Sequence, residues 1–296
     1  MTFRVASAAY PIEPVASFGA YVEKIARTVA VAADGGGRLL VFPEYGAVEL
    51  SAALPAADSG EIRRELHGLQ RFLDPSIEAF SALAKRHDVY ILAPSFPELD
   101  PGSGRFHNRA RLHAPNGAVG VSEKLQMTRF ESEEWGIDPG RQQRVFATEL
   151  GKVGVAICYD SEFPALVRAQ IDAGAELMLV PSCTDTLAGY HRVALSCRAR
   201  ALENQCYVVQ SSTIGDAPWS IPLDHNRGAA AIYGPVDRGF ADDGVLAQGS
   251  LDVPGWVFAD LDLAALAEVR ASGQVRNHRD QQSETHRTTD TIVETL

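Results

Sequence analysis

Positive charge is scarce in this sequence: 27 Lys and Arg stand against 38 Asp and Glu, for a net charge of −11. A phosphate backbone needs a concentrated basic surface, so nucleic acid is not expected as a partner. No apolar run approaches membrane-spanning length, so no membrane contact is expected either. The opening Met-Thr-Phe-Arg-Val-Ala-Ser-Ala-Ala-Tyr lacks the charged lead and apolar core of a signal peptide, and a cytoplasmic location is expected. Cysteines are few: Cys158, Cys183, Cys197 and Cys206 show no Cys-x-x-Cys spacing, which points to reduced thiols and away from a disulfide scaffold or zinc finger. Neither a Walker loop nor Gly-x-Gly-x-x-Gly occurs. What is present, 46% hydrophobic and 22% charged residues, suits a globular, acidic enzyme of small molecules.

Periodicity gives the order of elements. A strand is expected over 3–9, a helix over 18–32 up to Gly35-Gly36-Gly37, and a buried strand over 39–42 that delivers Glu44 and Tyr45 to its carboxyl end, where open α/β sheets place ligands. Residues 51–71 carry no decisive pattern. A helix over 76–87, a strand over 89–94 and a hairpin of 107–113 with 118–123 around Pro115-Asn116-Gly117 follow. The hairpin ends at Lys124, and a long acidic and aromatic loop continues to Pro139-Gly140. Strands over 176–181, 206–211, 229–233 and 256–260 alternate with helices over 185–204 and 261–271. In the first of these helices Leu187, Val193, Leu195, Ala199 and Leu202 are expected to face inward, and Cys197 and Cys206 read as core fillers. No linker divides residues 1–275, which read as one domain. The polar tail 276–296 has no core face of its own and is expected to be disordered or to pack on another subunit. The class is α/β, with two stacked sheets or one wide doubly wound sheet.

The candidate chemistry lies in Lys-Val-Gly-Val-Ala-Ile-Cys158-Tyr-Asp-Ser-Glu-Phe-Pro. The β-branched run reads as a buried strand, and Asp160, Ser161 and Pro164 supply helix-start residues, so Cys158 sits on a tight strand-to-helix turn. Such a turn exposes a thiol to free N–H groups, a setting that lowers thiol pKa in other proteins. The bland alternative is an inert small hydrophobe at a strand end. Glu44 and Lys124, taken singly, read as well as solvated surface residues.

Together, however, Val-Phe-Pro-Glu44-Tyr, Ser-Glu-Lys124-Leu and the Cys158 segment resemble the Glu, Lys and Cys motifs of the nitrilase superfamily of carbon–nitrogen hydrolases. Leu-Val-Pro-Ser182, Arg200-Ala-Leu-Glu-Asn204 and Gly228-Ala-Ala-Ala-Ile-Tyr-Gly-Pro235 resemble its later segments, so the likeness covers residues 4–262. It implies a four-layer α-β-β-α sandwich with two mixed sheets, paired into homodimers or larger homo-oligomers. It also implies Cys158 as nucleophile, Glu44 as general base and Lys124 as the cation that meets the oxyanion, with no metal or organic cofactor. A second glutamate is expected among Glu131, Glu133 and Glu134; counting back from Pro139-Gly140 favours Glu133.

These residue types suit amide chemistry. An amide carbon is a poor electrophile, so a thiolate that forms an acyl-enzyme splits hydrolysis into two easier steps, and a neighbouring glutamate can shuttle the proton. Lys124 and the backbone N–H of Tyr159 would receive the developing oxyanion. Tyr45, Trp135, Tyr159, Cys183 and Asp185 are the candidate pocket walls; Tyr45, Trp135, Cys183 and Asp185 read equally as framework, and for Cys183 the framework reading is favoured. The Cys-Tyr-Asp sequence resembles the amidase and carbamoylase branches, which implies hydrolysis of a small linear amide or N-carbamoyl compound. Many such relatives carry an arginine two places before the proline; Glu162 stands there in this chain, so a specificity for acidic substrates such as dicarboxylic acid monoamides does not simply transfer. The alternatives are a nitrilase that yields a carboxylic acid, and a non-catalytic metabolite-binding subunit.

Overall fold

The computed structural model describes residues 1–284 and 293–294. The first half of the chain forms β1 (Thr2–Pro11), α1 (Phe18–Asp34), β2 (Leu39–Val41), α2 (Ile62–Leu69), α3 (Leu73–His87), β3 (Tyr90–Leu92), β4 (Phe96–Asp100), β5 (Arg105–His113) and β6 (Val119–Glu123). The second forms β7 (Val145–Thr148), β8 (Gly151–Val155), α4 (Pro164–Asp172), β9 (Leu177–Ser182), α5 (Leu187–Asn204), β10 (Tyr207–Asp216), β11 (His225–Asn226), β12 (Ala231–Tyr233), β13 (Val245–Gln248), β14 (Gly255–Asp262), α6 (Leu263–Ser272) and α7 (Asn277–Glu284). Periodicity missed β4, β7, β11 and β13, short strands that fold back antiparallel on a neighbour, β4 on β5, β7 on β8, β11 on β10 and β13 on β12.

This is a mixed α/β fold with a curled sheet. Strands β3, β2, β1, β10, β9 and β8 run parallel in that spatial order. Antiparallel strands flank them: β5 beside β3, with β4 and β6 on β5, and β7 beside β8. Strand β1 is the joint, pairing with β2 over 5–7, with β14 over 2–9 and with β10 over 9–11. Side chains alternate across a strand, so Val5, Leu39 and Val41 enter one buried cluster with Val167 of α4 and Val193 of α5. Ala6, Ala8, Leu40 and Phe42 enter another with Tyr21, Ile25 and Val29 of α1 and Phe80 of α3. No helix among the described residues is long and apolar enough to cross a membrane.

One expectation needs correcting. Helix α5, capped by the Thr186 hydroxyl that accepts from Gly189 N at 3.1 Å, buries Tyr190, Val193, Cys197 and Ala201, whereas Leu187, Leu195 and Leu202 are exposed. The buried set repeats every three or four residues, and the leucines fall between its rows. The beginning of the tail packs on its own chain: Arg168 Nη1 donates to Gln281 Oε1 at 2.7 Å, and His278 N donates to Gln205 Oε1 at 3.2 Å. Polar contacts to α4 and the end of α5 stand in for the missing core face; residues 285–292 and 295–296 of the expected tail lie outside the described residues.

The end of β8 is held by a side chain. Strand β7 accompanies β8 only as far as Gly154. Beyond it Gln170 of α4 acts as a substitute strand, accepting from Val155 N at Oε1 and donating from Nε2 to Val155 O, both at 2.9 Å. Gly154 makes room, since a Cβ there would stand 2.5 Å from Gln170 Oε1. Replacing Gln170 with Leu leaves both buried backbone groups unpaired, at about 1–3 kcal/mol each. The variant is therefore expected to unfold at clearly lower urea concentration; an unchanged midpoint would refute this role.

Candidate active site

Cys158 follows β8 by three residues and takes φ 48°, the left-handed region that side chains rarely adopt. Its carbonyl accepts from the Ser161 hydroxyl at 2.6 Å, which closes the short helical turn Cys158–Glu162 before Pro164 starts α4. Tyr45, directly after Glu44, has φ 55° and donates its N–H to Ser95 Oγ at 3.1 Å. Such conformations cost about 1–3 kcal/mol each and persist where surrounding contacts enforce them. Cys158 is itself a candidate catalytic residue and Tyr45 adjoins one, each just beyond the carboxyl end of a parallel strand.

Lys124 is pinned by its backbone. Its N–H donates to Asn108 O at 2.9 Å and its carbonyl accepts from Gly140 N at 2.7 Å. A Cβ on Gly140 would come within 3.0 Å of that carbonyl and 2.5 Å of Glu123 Cβ. Asp160 ties this loop to the cysteine turn, accepting from Leu125 N at 3.1 Å and from Gln126 N at 2.7 Å. Burial pushes the Asp160 carboxyl up to about 6, against the pull of these N–H groups and of Lys124.

The side chains converge. Lys124 Nζ donates to Glu44 Oε1 and to Glu131 Oε2, both at 2.7 Å. Glu44 Oε2 accepts from Cys183 N at 3.1 Å, and the Cys158 thiol, which donates to Cys183 O at 3.7 Å, interacts electrostatically with the Glu44 carboxylate. Glu131 accepts further from the Tyr45 hydroxyl at 2.7 Å and from Thr128 N and Oγ1 at 2.9 Å. Asn108 Nδ2 donates to Glu44 Oε1 at 2.9 Å and reaches Glu131 Oε1 at 3.5 Å. Glu44, Lys124 and Glu131 are at most 2% exposed, and Cys158 is 5% exposed.

One lysine thus serves two buried carboxylates, and their titration splits. Burial pushes Glu44 up to about 7, with Lys124 opposing and Glu131 adding to the rise. Burial would raise Glu131 as well, but Lys124 and the Thr128 and Tyr45 donors overcome it and hold Glu131 below the usual carboxylate range. Lys124 is desolvated, yet the two glutamates hold its ammonium well above the usual lysine value. The thiol departs from expectation: burial and then Glu44 push Cys158 well above an ordinary cysteine, because the turn is closed by protein and the adjacent charge is negative. Cys158 therefore needs a base to ionise it.

Cys158 opens onto a cavity of about 640 Å³. Tyr45, Trp135, Tyr159, Cys183 and Asp185, the expected walls, all line it. Glu133 does not. It lies exposed, paired to Arg129 at 2.9 Å, while Glu131 occupies the position beside Lys124. The loop coils into a helical turn, Glu131–Trp135, on which residues two apart point to nearly opposite sides, so counting back along the chain selects the wrong face. Asn108 and Asp160 were not anticipated; the signal for Asn108 was a polar residue at an inward position of β5, between buried Phe106 and Ala110.

Comparison with known proteins gives a family match: the carbon-nitrogen hydrolase model covers residues 4–271. A probable hydrolase of Bacillus subtilis, YhcX, is 34% identical over 94% of this chain, which spans only 53% of that relative's length. The omega-amidase NIT2-B of Xenopus laevis is 28% identical over 94% of this chain and 95% of its own. Among solved structures, Saccharomyces cerevisiae Nit3, a member of branch 10 of the nitrilase superfamily, superposes with TM-score 0.73 at 21% identity, covering 94% of this chain and 96% of Nit3. A mutant amidase from Nesterenkonia sp. AN1, with the acetamide moiety of fluoroacetamide on its active-site cysteine, gives TM-score 0.72 at 21% identity over 96% of this chain and 95% of that one.

The charge balance around Lys124 makes a stability prediction. In Lys124→Met, two carboxylates stay buried without their cation, a loss of about 3–5 kcal/mol near neutrality. Their folded pKa values then rise above the unfolded ones, so the folded state binds more protons and stability falls as pH rises. Denaturant titrations of variant and parent are expected to converge towards pH 5 and diverge towards pH 8; a pH-independent gap would contradict the shared-charge picture.

Proposed function

The chain belongs to the carbon-nitrogen hydrolase family, and on that footing we propose that it hydrolyses the C–N bond of a small linear amide or N-carbamoyl compound through an acyl-enzyme on Cys158. The supporting observation is the convergence of a thiol, a carboxylate that titrates near neutrality and a buried ammonium at the inner end of one cavity. Glu44 takes the thiol proton as sulfur attacks the carbonyl carbon, and the new oxyanion is met by Lys124 and the Tyr159 N–H. The C–N bond then breaks, and Glu44 returns the proton to the departing nitrogen. Water, deprotonated by Glu44, attacks the thioester, the C–S bond breaks and the thiol is restored. Glu131 keeps Lys124 charged and oriented.

The cavity's charges suggest a substrate preference. Arg129 is paired to Glu133 at 2.9 Å and Arg192 to Glu162 at 3.2 Å, whereas Glu134, Asp185 and Asp224 line the cavity without a salt bridge among the described residues. A substrate carboxylate would have to displace an existing pair, so neutral or cationic acyl groups fit better than acidic ones.

We also propose the four-layer α-β-β-α arrangement for residues 1–275, supported by the opposite faces of β1 and β2 entering clusters shared with different helix pairs. Exposed Leu195 and Leu202 on α5 support a homo-oligomer, and four free cysteines support a cytoplasmic setting.

A matched panel tests the reading: butanamide, 4-aminobutanamide, succinamate, N-carbamoyl amines and nitriles, with ammonia release and mass spectrometry of Cys158. Amides or carbamoyl compounds are expected to turn over and leave an acyl adduct, and Cys158→Ala to abolish both. Succinamate is expected to trail its neutral and cationic counterparts by about tenfold or more in kcat/KM; turnover of nitriles alone would overturn the assignment. The two glutamates separate cleanly as well. Glu131→Gln is expected to lower kcat/KM by about 100-fold or more, and exposed Glu133→Gln to change it by no more than about twofold; the reverse ranking would restore Glu133.

A further inference from the structure

Asn108 belongs to none of the motifs, yet it is fully buried and touches both glutamates of the site. Its amide orientation is set by chemistry: turned over, the carbonyl oxygen would face two carboxylates. In the observed orientation Oδ1 finds no hydrogen-bond donor among the described residues, so the contacts made by this amide are donations. Glu131 is well supplied without it, by Lys124, Thr128 and Tyr45. Glu44 is not: apart from Asn108, its Oε1 has only the shared lysine, and its Oε2 takes the Cys183 N–H.

We propose that Asn108 is a positioning residue for the reaction, a neutral donor that lets two carboxylates share one lysine and that holds Oε1 of Glu44 on the lysine side. The inference rests on the functional reading above. The groups that face Glu44 are Lys124 and the Cys158 thiol, which favour its ionised form, Glu131, which disfavours it, and the Tyr45 hydroxyl and Cys183 thiol, both held protonated by burial and by the carboxylates. Removing a donor from this balance leaves the ionised form less supported. Glu44 must be ionised to accept the thiol proton, so the acid limb of activity should move to higher pH.

The test is the pH dependence of Cys158 alkylation by iodoacetamide, read by mass spectrometry, alongside kcat/KM for the best amide. In Asn108→Ala both acid limbs are expected to move up by about one pH unit, the size of one lost hydrogen bond to a charged group. Asn108→Asp keeps the shape and adds a third carboxylate, and its limb is expected to move further; it decides the question should the alanine variant not fold. A purely structural role would lower rates evenly and leave the limbs in place, which overturns the proposal. A wild-type Cys158 no more reactive than the other three thiols would overturn the functional reading and this inference together. A reactive Cys158 whose profile both variants leave unmoved overturns this inference alone.

Discussion

A single buried ammonium shared by two buried carboxylates is the constraint on which the rest of this structure depends. Burying any one of these charges alone would cost several kcal/mol. Together, at 2.7 Å from Lys124 to each glutamate, they remain one positive charge short of neutrality when all are ionised. The shortfall falls on Glu44, the carboxylate with fewer donors, and raises it to about 7. A folded pKa above the unfolded one means that Glu44 favours folding at acid pH and that this contribution is lost as pH rises through 7. The same displacement gives it the proton affinity of a base that works at neutral pH.

Such a cluster survives only if its members cannot drift. The fold supplies this by hanging Glu44, Lys124 and the two cysteines on the ends of different strands, with Glu131 on the helical turn after Lys124, and by tying these ends together. Glu44 follows β2, Lys124 follows β6, Cys158 follows β8, and Cys183, whose N–H reaches Glu44, follows β9. Left-handed backbone at Tyr45 and Cys158 turns two of these ends sharply. Asp160 then joins the lysine loop to the cysteine turn, and Gln170 completes the hydrogen bonding of β8 where its neighbouring strand stops. The first of these bonds joins two loops and the second a helix to a strand end, so the site is held from several directions although little of it lies within regular elements.

The elements themselves were largely legible. Alternating β-branched runs and 3.6-residue patterns located most strands and helices within a few residues, because those patterns reflect local burial. They failed where burial was decided elsewhere. Strands β4 and β7 are short and make sense only beside their partners. The leucines of α5 were assigned inward by hydrophobicity, whereas the sheet contacts the row of Tyr190, Val193, Cys197 and Ala201. Glu131 was misplaced in favour of Glu133 because distance along an irregular loop does not report which way a helical turn points. Asn108 carried a visible signal, a polar residue in the inward register of a strand, whose meaning appears only with Glu44 and Glu131 beside it.

Residue type and order along the chain therefore determined the α/β class and the acidic character and singled out Glu44, Lys124 and Cys158 as candidates, since these follow from local pattern and from motifs that resemble a family. Tertiary structure alone decided which glutamate joins Lys124, that Asn108 and Asp160 belong to the site, and that the Cys158 thiol is raised and not lowered. These properties depend on desolvation and on charges brought together from segments up to 139 residues apart, as in the bond from Cys183 to Glu44, and no local pattern encodes such encounters.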